Sequence, residues 1–338
     1  MKYQALLLVI ILLFSVWVLQ VSDAGQDALS ERGPVLLGSA QDVVHTPETG
    51  AQTGTEKDVS SSLQQNEIPA SVLAGSSQSV LSSSDAVAQS FIETRVPITQ
   101  ECVVADASIF LVKNLSTEEV IFERNSYNRW PIASVTKLMS ALVVSERMNL
   151  ADTLFVTQEA RDAVGEYYSF EVGDQYSVQD LLRAMLVFSS NDAAYALADT
   201  LNREAFVDFM NAKAKEIGMS QTSFFEPSGL SYLNQSTASD VYLLLRYLSH
   251  IHPSLLDITR MQSVILTELE SGKKKTFQNI DFFAGQKEFL GGKTGYIEES
   301  GGNLVTIFQK GDTMYFVAVL GSDDRFGDVE NLYRCLGE

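Results

Sequence analysis

Apolar and polar positions divide the chain into three stretches that follow different rules. Residues 5–21 form an almost unbroken apolar run behind Met1, Lys2 and Tyr3. Its length falls between the apolar core of an export signal and a membrane-spanning helix. Ser22, Asp23 and Ala24 follow as a passable small-residue cleavage site. Residues 1–24 are therefore expected to be either a signal peptide or an N-terminal membrane anchor, and both send the rest of the chain out of the cytoplasm. Residues 26–95 hold a single aromatic, Phe91, among many Ser, Gln, Ala, Gly, Thr and Glu. Such a stretch buries too little apolar surface to offset the entropy of ordering it, so residues 25–95 are expected to be a disordered low-complexity tether.

From about Val96 the pattern becomes that of folded protein, and residues 96–338 are expected to form the working domain. Residues 108–113 and 119–123, with Asn114, Leu115, Ser116 and Thr117 between them, predict a hairpin. Apolar spacing then predicts helices over 134–148, around Leu181, Leu182, Met185 and Leu186, and over 193–201. Two more follow, over 205–217 with Gly218 as its stop and over 236–249. The tail returns to strands at 264–267, 275–279, 304–308 and 314–320, and a short helix over 328–336 closes it. Strands at both ends around a helical middle imply an α/β arrangement, with a sheet assembled from distant segments.

Charge removes several function classes. The formal net charge of −19 argues against a nucleic-acid binder, which needs clustered Lys and Arg. The one dense basic run, Lys273, Lys274 and Lys275, reads as solvated lysines on a loop or strand end. The chain has three histidines. His45 lies in the low-complexity stretch, and His250 and His252 flank Ile251 before Pro253, where a helix is expected to end. None sits beside a candidate nucleophile, which argues against a Ser-His-Asp triad. Cys102 and Cys335 have no ligand-spaced neighbours, so neither a metal site nor a cofactor is expected. They stand at the two ends of the folded region, as a disulfide permitted by export or as two buried thiols.

Three short motifs carry the chemistry. In Ser134-Val135-Thr136-Lys137, serine and lysine fall on one face of a predicted helix start. A serine hydroxyl is a weak nucleophile until a base takes its proton, and a lysine whose pKa is lowered by burial can be that base. The plain alternative is a capping serine followed by a surface lysine. Ser189-Ser190-Asn191 falls between two predicted helices, where a second hydroxyl could relay a proton and Asn191 could grip a peptide group. Its plain alternative is a helix cap. Gly292-Lys293-Thr294-Gly295 lies where the late strands begin, and Lys293 with Thr294 would make a receptor for a carboxylate. A phosphate loop would need its first glycine at the position of Lys287.

In that order and with those separations, Ser-x-x-Lys, Ser-x-Asn and Lys-Thr-Gly resemble the penicillin-recognising serine enzymes. Within them the chain resembles the serine D-alanyl-D-alanine carboxypeptidases, the low-molecular-mass penicillin-binding proteins. Trp130-Pro131-Ile132-Ala133 ahead of Ser134 is similar to that family's nucleophile segment. Asp192-Ala193-Ala194, Glu226-Pro227-Ser228-Gly229-Leu230, Tyr296 and Gly302-Asn303 extend the likeness over roughly 103–332. The resemblance implies a β-lactamase/transpeptidase-like fold, with helices on an antiparallel sheet built from both ends of the domain, and a mainly helical middle region. It also implies a two-step acyl transfer on peptidoglycan stem peptides ending in D-Ala-D-Ala, with β-lactams as covalent inhibitors. Ser134 would be nucleophile, Lys137 its base and Ser189 the relay. Asn191 would hold the substrate amide, while Lys293 and Thr294 bind the terminal carboxylate. Gly295 and Tyr296 complete the last motif, and the backbone N–H groups of Ser134 and Tyr296 would form the oxyanion hole.

Two departures stand out. Many members carry a C-terminal β-rich domain and an amphipathic membrane helix, whereas this sequence stops at Glu338. The N-terminal segment is expected to serve as the anchor instead. Ser190 also stands where glycine is frequent. Among rivals, a class A β-lactamase needs a Glu-x-x-Leu-Asn that residues 192–292 lack. A DD-endopeptidase using the same residues remains the main alternative, ahead of a β-lactam sensor without turnover.

Overall fold

A computed structural model describes residues 105–162 and 169–336, all within the compact unit Gln89–Glu338. The apolar leader, the tether and Cys102 lie outside the described residues. In chain order the elements begin with strands β1 (Ile109–Asn114), β2 (Val120–Arg124) and β3 (Trp130–Pro131), then a 3-10 turn (Ala133–Thr136) and helix α1 (Lys137–Arg147). Next come β4 (Thr153–Phe155), α2 (Gln158–Asp162), β5 (Gln175–Ser177), α3 (Val178–Val187), α4 (Asn191–Thr200) and α5 (Arg203–Glu216). They are followed by β6 (Gln235–Ser236), α6 (Ala238–Ile251), α7 (Pro253–Thr259), β7 (Ser263–Thr267) and β8 (Lys274–Gln278). The chain closes with β9 (Phe289–Ile297), β10 (Gly301–Lys310), β11 (Thr313–Ser322) and α8 (Arg325–Arg334).

The main sheet is antiparallel, in the order β2-β1-β11-β10-β9. Its joint between the two ends of the domain is β1 on β11, with Ile109 opposite Leu320 and Val112 opposite Val317. Both faces are covered, so the central strands read as continuous apolar runs. Ile109, Leu111, Val305, Ile307, Phe316, Ala318 and Leu320 face the helical core. Phe110, Val112, Leu304, Phe308, Val317 and Val319 face a second cluster that takes in Val329 and Leu332 of α8. Helices thus lie on both faces of one sheet, and the expected α/β architecture holds, with the helical layer formed by the middle of the chain.

Most predicted elements appear with small shifts, and the larger differences have physical causes. Ser134 does not open an α-helix. Ala133 takes a left-handed φ of 48°, the chain runs through the 3-10 turn, and α1 starts at Lys137. The helix around Leu181 begins at Val178 because Ser177 caps it by accepting from Asp180 N at 3.0 Å. Helix α7 was not expected; Pro253 occupies its first turn, where a missing N–H costs nothing. Nor was β9, whose glycines mimic turn signals while β10 supplies its pairing from Phe308 to Gly301. Lys273 to Lys275 are exposed at the β7–β8 hairpin. His250 and His252 sit at the end of α6, bonded to Arg246 O and near Glu146. Cys335 is disulfide-bonded.

Candidate active site

Ser134 stands at the junction of the sheet and the helical layer, on a segment held from three sides. Ile132 N donates to Asn234 O at 3.0 Å, Trp130 Nε1 to Ser300 O at 2.9 Å, and Asn303 Nδ2 to Pro131 O at 2.9 Å. Two glycines let backbone close against the serine. A Cβ built on Gly295 would lie 3.0 Å from Ser134 N and 2.9 Å from Ile132 O. A Cβ on Gly229, whose φ is +90°, would lie 2.0 Å from Ala133 O and 2.7 Å from Ser134 N. Gly229→Ala is therefore expected to lose about 2 kcal/mol or more from strain and clash together, read as a lowered melting temperature.

Lys137 is fully buried. Its ammonium donates to Ser134 Oγ at 2.9 Å, to Asn191 Oδ1 at 2.7 Å and to Ser228 O, which uses all three of its donors. Burial pulls its pKa from the usual 10.5 down to about 7, against the opposing charges of Glu226 and Asp192. A surface lysine beside a capping serine is thereby ruled out: the turn and α1 have no side-chain cap. The second motif divides its labour. Ser190, not Ser189, caps α4 by accepting from Ala193 N at 3.1 Å. Ser189, at a left-handed φ of 63°, instead accepts from Lys293 Nζ at 3.0 Å.

Lys293 projects from β9 with 2% of its surface exposed, and its Nζ also donates to Thr294 O at 2.9 Å. Burial, and then the nearby Lys137 cation, lower its pKa well below the ordinary lysine value. The structure thus gathers Ser134, Lys137, Ser189, Asn191 and Lys293 into one polar cluster. It places no direct hydrogen bond between Ser134 and Ser189 among the described residues. Thr294 is buried beside them, whereas Tyr296 is 66% exposed.

Sequence reasoning gave no role to two buried carboxylates. Glu226 accepts from Ser228 N at 2.7 Å, Ser228 Oγ at 2.6 Å, Gly229 N at 2.6 Å, Asn234 Nδ2 at 2.7 Å and Tyr195 OH at 3.0 Å. It folds the loop that presents both Gly229 and the Ser228 carbonyl. Asp192 accepts from Ser190 Oγ, Ser169 N and Phe170 N, and so locks the turn that carries Ser189. The only sequence signal for either was its place in the family-like segments, since their partners are set by the fold.

Comparison with known proteins agrees with this geometry. The profile of the D-alanyl-D-alanine carboxypeptidase family of serine peptidases matches residues 96–324. A D-alanyl-D-alanine endopeptidase of Haemophilus influenzae is 36% identical over 208 residues, covering 60% of this chain and 70% of its own. Another, of Pseudomonas aeruginosa, is 33% identical over 250 residues, covering 71% and 79%. The carboxypeptidase DacF of Bacillus subtilis is 30% identical over 218 residues, covering 61% and 55%. Among solved structures, a D-alanyl-D-alanine carboxypeptidase of Mycobacterium tuberculosis superimposes with a TM-score of 0.63 at 26% identity, over 68% of this chain and 90% of its own. A cefotaxime-bound penicillin-binding protein of Listeria monocytogenes does so at 0.61 and 29% identity, over 69% and 98%. With a matched profile over most of the described fold, and a serine and a buried lysine at its centre, this chain belongs to the D-alanyl-D-alanine carboxypeptidase family of serine peptidases.

Proposed function

We propose that the chain removes the terminal D-alanine from peptidoglycan stem peptides through an acyl-enzyme on Ser134. The observation that carries this reading is the fully buried Lys137, 2.9 Å from Ser134 Oγ, with its pKa lowered to about 7. As a neutral amine Lys137 keeps two N–H groups and one lone pair. Asn191 Oδ1 and Ser228 O take the two N–H groups, and the lone pair is left facing Ser134 Oγ. Ser134 attacks the carbonyl between the two D-alanines as Lys137 accepts its proton. Collapse of the tetrahedral intermediate breaks the C–N bond, and the proton reaches the departing amine through Ser189. Water then cleaves the acyl ester and restores the serine.

Lys293 and Thr294 bind the terminal carboxylate, and Asn191 holds the substrate amide with its NH2 group while its oxygen steadies Lys137. The backbone N–H groups of Ser134 and Tyr296 stabilise the oxyanion. Gly295 supports this pairing, because its lack of a side chain lets β9 lie against Ser134 N. β-Lactams would react at the same serine and stall there. The apolar run at residues 5–21, as export signal or membrane anchor, takes the chain outside the cytoplasm, with residues 25–95 as tether and residues 96–338 as catalytic domain. Among the described residues no helix is long and apolar enough to cross a membrane.

A second reading, a DD-endopeptidase cutting cross-links, draws support from the 36% and 33% identical relatives that carry that name. The full chain is to be incubated with a pentapeptide ending in D-Ala-D-Ala and with a purified cross-linked muropeptide dimer. Free D-alanine from the first and an intact dimer from the second are the expected results. Monomers from the dimer without free D-alanine would make the second reading correct. Neither product from a folded sample would overturn both.

A further inference from the structure

Asp281 is buried to 7% exposure beneath the last motif, in a crevice too narrow for water that it lines together with Asn279, Lys293 and Thr294. One of its oxygens has a plain structural role, since Oδ1 accepts from Phe283 N at 3.0 Å and shapes the turn that follows β8. The other oxygen, Oδ2, is buried without a hydrogen-bond partner. Across the same region Arg325, at the start of α8, donates from Nη1 to Gly295 O at 3.1 Å, while its Nε is buried without a partner. Asparagine or serine would serve the turn equally well. A second oxygen, buried and unpaired, is not what a turn requires, and burying it costs stability.

The charges around β9 suggest what the carboxylate does. The groups acting on Lys293 are Lys137 from α1, Arg325 from α8 and Asp281, and Asp281 is the one anion among them. Burial raises the Asp281 carboxyl's pKa overall, and the Phe283 N–H bond and the attraction of Lys293 and Arg325 oppose that rise. Lys137 has its own anions, Glu226 and Asp192. The two lysines of the site thus have separate carboxylates.

Building on the acyl-transfer reading above, we propose that Asp281 is a positioning residue, a fixed counter-charge to the Lys293 and Arg325 cations that flank the carboxylate-binding end of β9. Its charge keeps Lys293 protonated despite burial and the Lys137 cation, so the receptor stays cationic while Lys137 is neutral. Lys293 binds a carboxylate only when protonated, so its loss of a proton sets the alkaline limb of acylation. Without Asp281 that proton leaves at lower pH.

The test is the second-order rate of penicillin acylation of the full chain against pH, in wild type, Asp281→Asn and Asp281→Ser. Both variants keep an acceptor for Phe283 N. The alkaline limb is expected to move to lower pH by about one unit or more in both, with the plateau below it keeping its height. An unmoved limb in folded variants, or an equal loss at every pH, would leave Asp281 a turn residue and overturn the proposal. If neither variant folds, or wild type is not acylated, a carbon-13 titration of the Asp281 carboxyl in wild type decides. A carboxyl ionised across pH 6 to 9 supports the counter-charge, and a protonated one removes it. Failure of wild type to react with penicillin or peptide counts against the acyl-transfer reading, independently of this titration.

Discussion

Ser134→Ala is expected to form no penicilloyl adduct at any pH, and Lys137→Met to slow the same adduct by about 100- to 10,000-fold, the usual worth of a positioned base. Intact-mass spectrometry at timed intervals reads both. The serine substitution removes the only atom that bonds to the acyl group, so its effect is complete. The lysine substitution leaves the nucleophile but takes away the amine 2.9 Å from it, and Asn191 Oδ1 and Ser228 O lose their donor. The pH dependence of wild type follows from the same group. Lys137 works as a base only when neutral, and burial holds its pKa near about 7. The acylation rate is therefore expected to fall as pH drops through about 7, with a plateau between that acid limb and the alkaline limb assigned to Lys293. In Lys137→Met that acid limb should vanish with most of the rate. A limb that persisted near pH 7 in the variant would assign the titration to another group.

The second large effect is on stability. Glu226→Ala is expected to cost about 3 kcal/mol or more, because it strands several buried donors at once and leaves a void. For a domain of this size that corresponds to a fall in melting temperature of roughly 6 to 12 °C. Urea denaturation gives the free energy, and thermal melting gives the shift. Function should suffer beyond the folding loss, since Ser228 O, which accepts from Lys137, rides on the loop that Glu226 organises. Glu226→Gln separates the parts. The amide keeps acceptor capacity but brings its own N–H groups to a site crowded with donors, so most of the stability loss should persist. A variant as stable as wild type would mean that neighbouring groups satisfy the loop without Glu226.

Local spacing made much of this protein legible. The i, i+3 relation of Ser134 and Lys137 is set by the pitch of a helical turn, and it survives although the turn is 3-10 at its start. Helices α5 and α6 follow from apolar periodicity and strands β10 and β11 from continuous apolar runs, because the helices bury one stripe and the strands bury both faces, each in its own cluster. The motif order alone was enough to point to the family. Strand β9 was not legible, because its glycine-rich run has no alternation and becomes a strand only by pairing with β10. Glu226, Asp192 and Asp281 were silent for a related reason. A carboxylate in a sequence is ordinarily a solvated surface group, and only burial among specific donors or cations gives it a role.

The reactive groups and their order along the chain are thus written in the sequence, since residue types and short spacings are covalent facts. Their ionisation states and their partners belong to the folded molecule. Closing β1 onto β11 joins the two ends of the domain, and β9 comes to lie across the 3-10 turn that leads into α1. That closure takes Lys137 and Lys293 out of water, lowers their pKa values, and sends Lys293 to Ser189 while Ser190 is spent on a cap. Electrostatic energies depend on distance and on the exclusion of water, and neither exists for these groups until distant segments pack together.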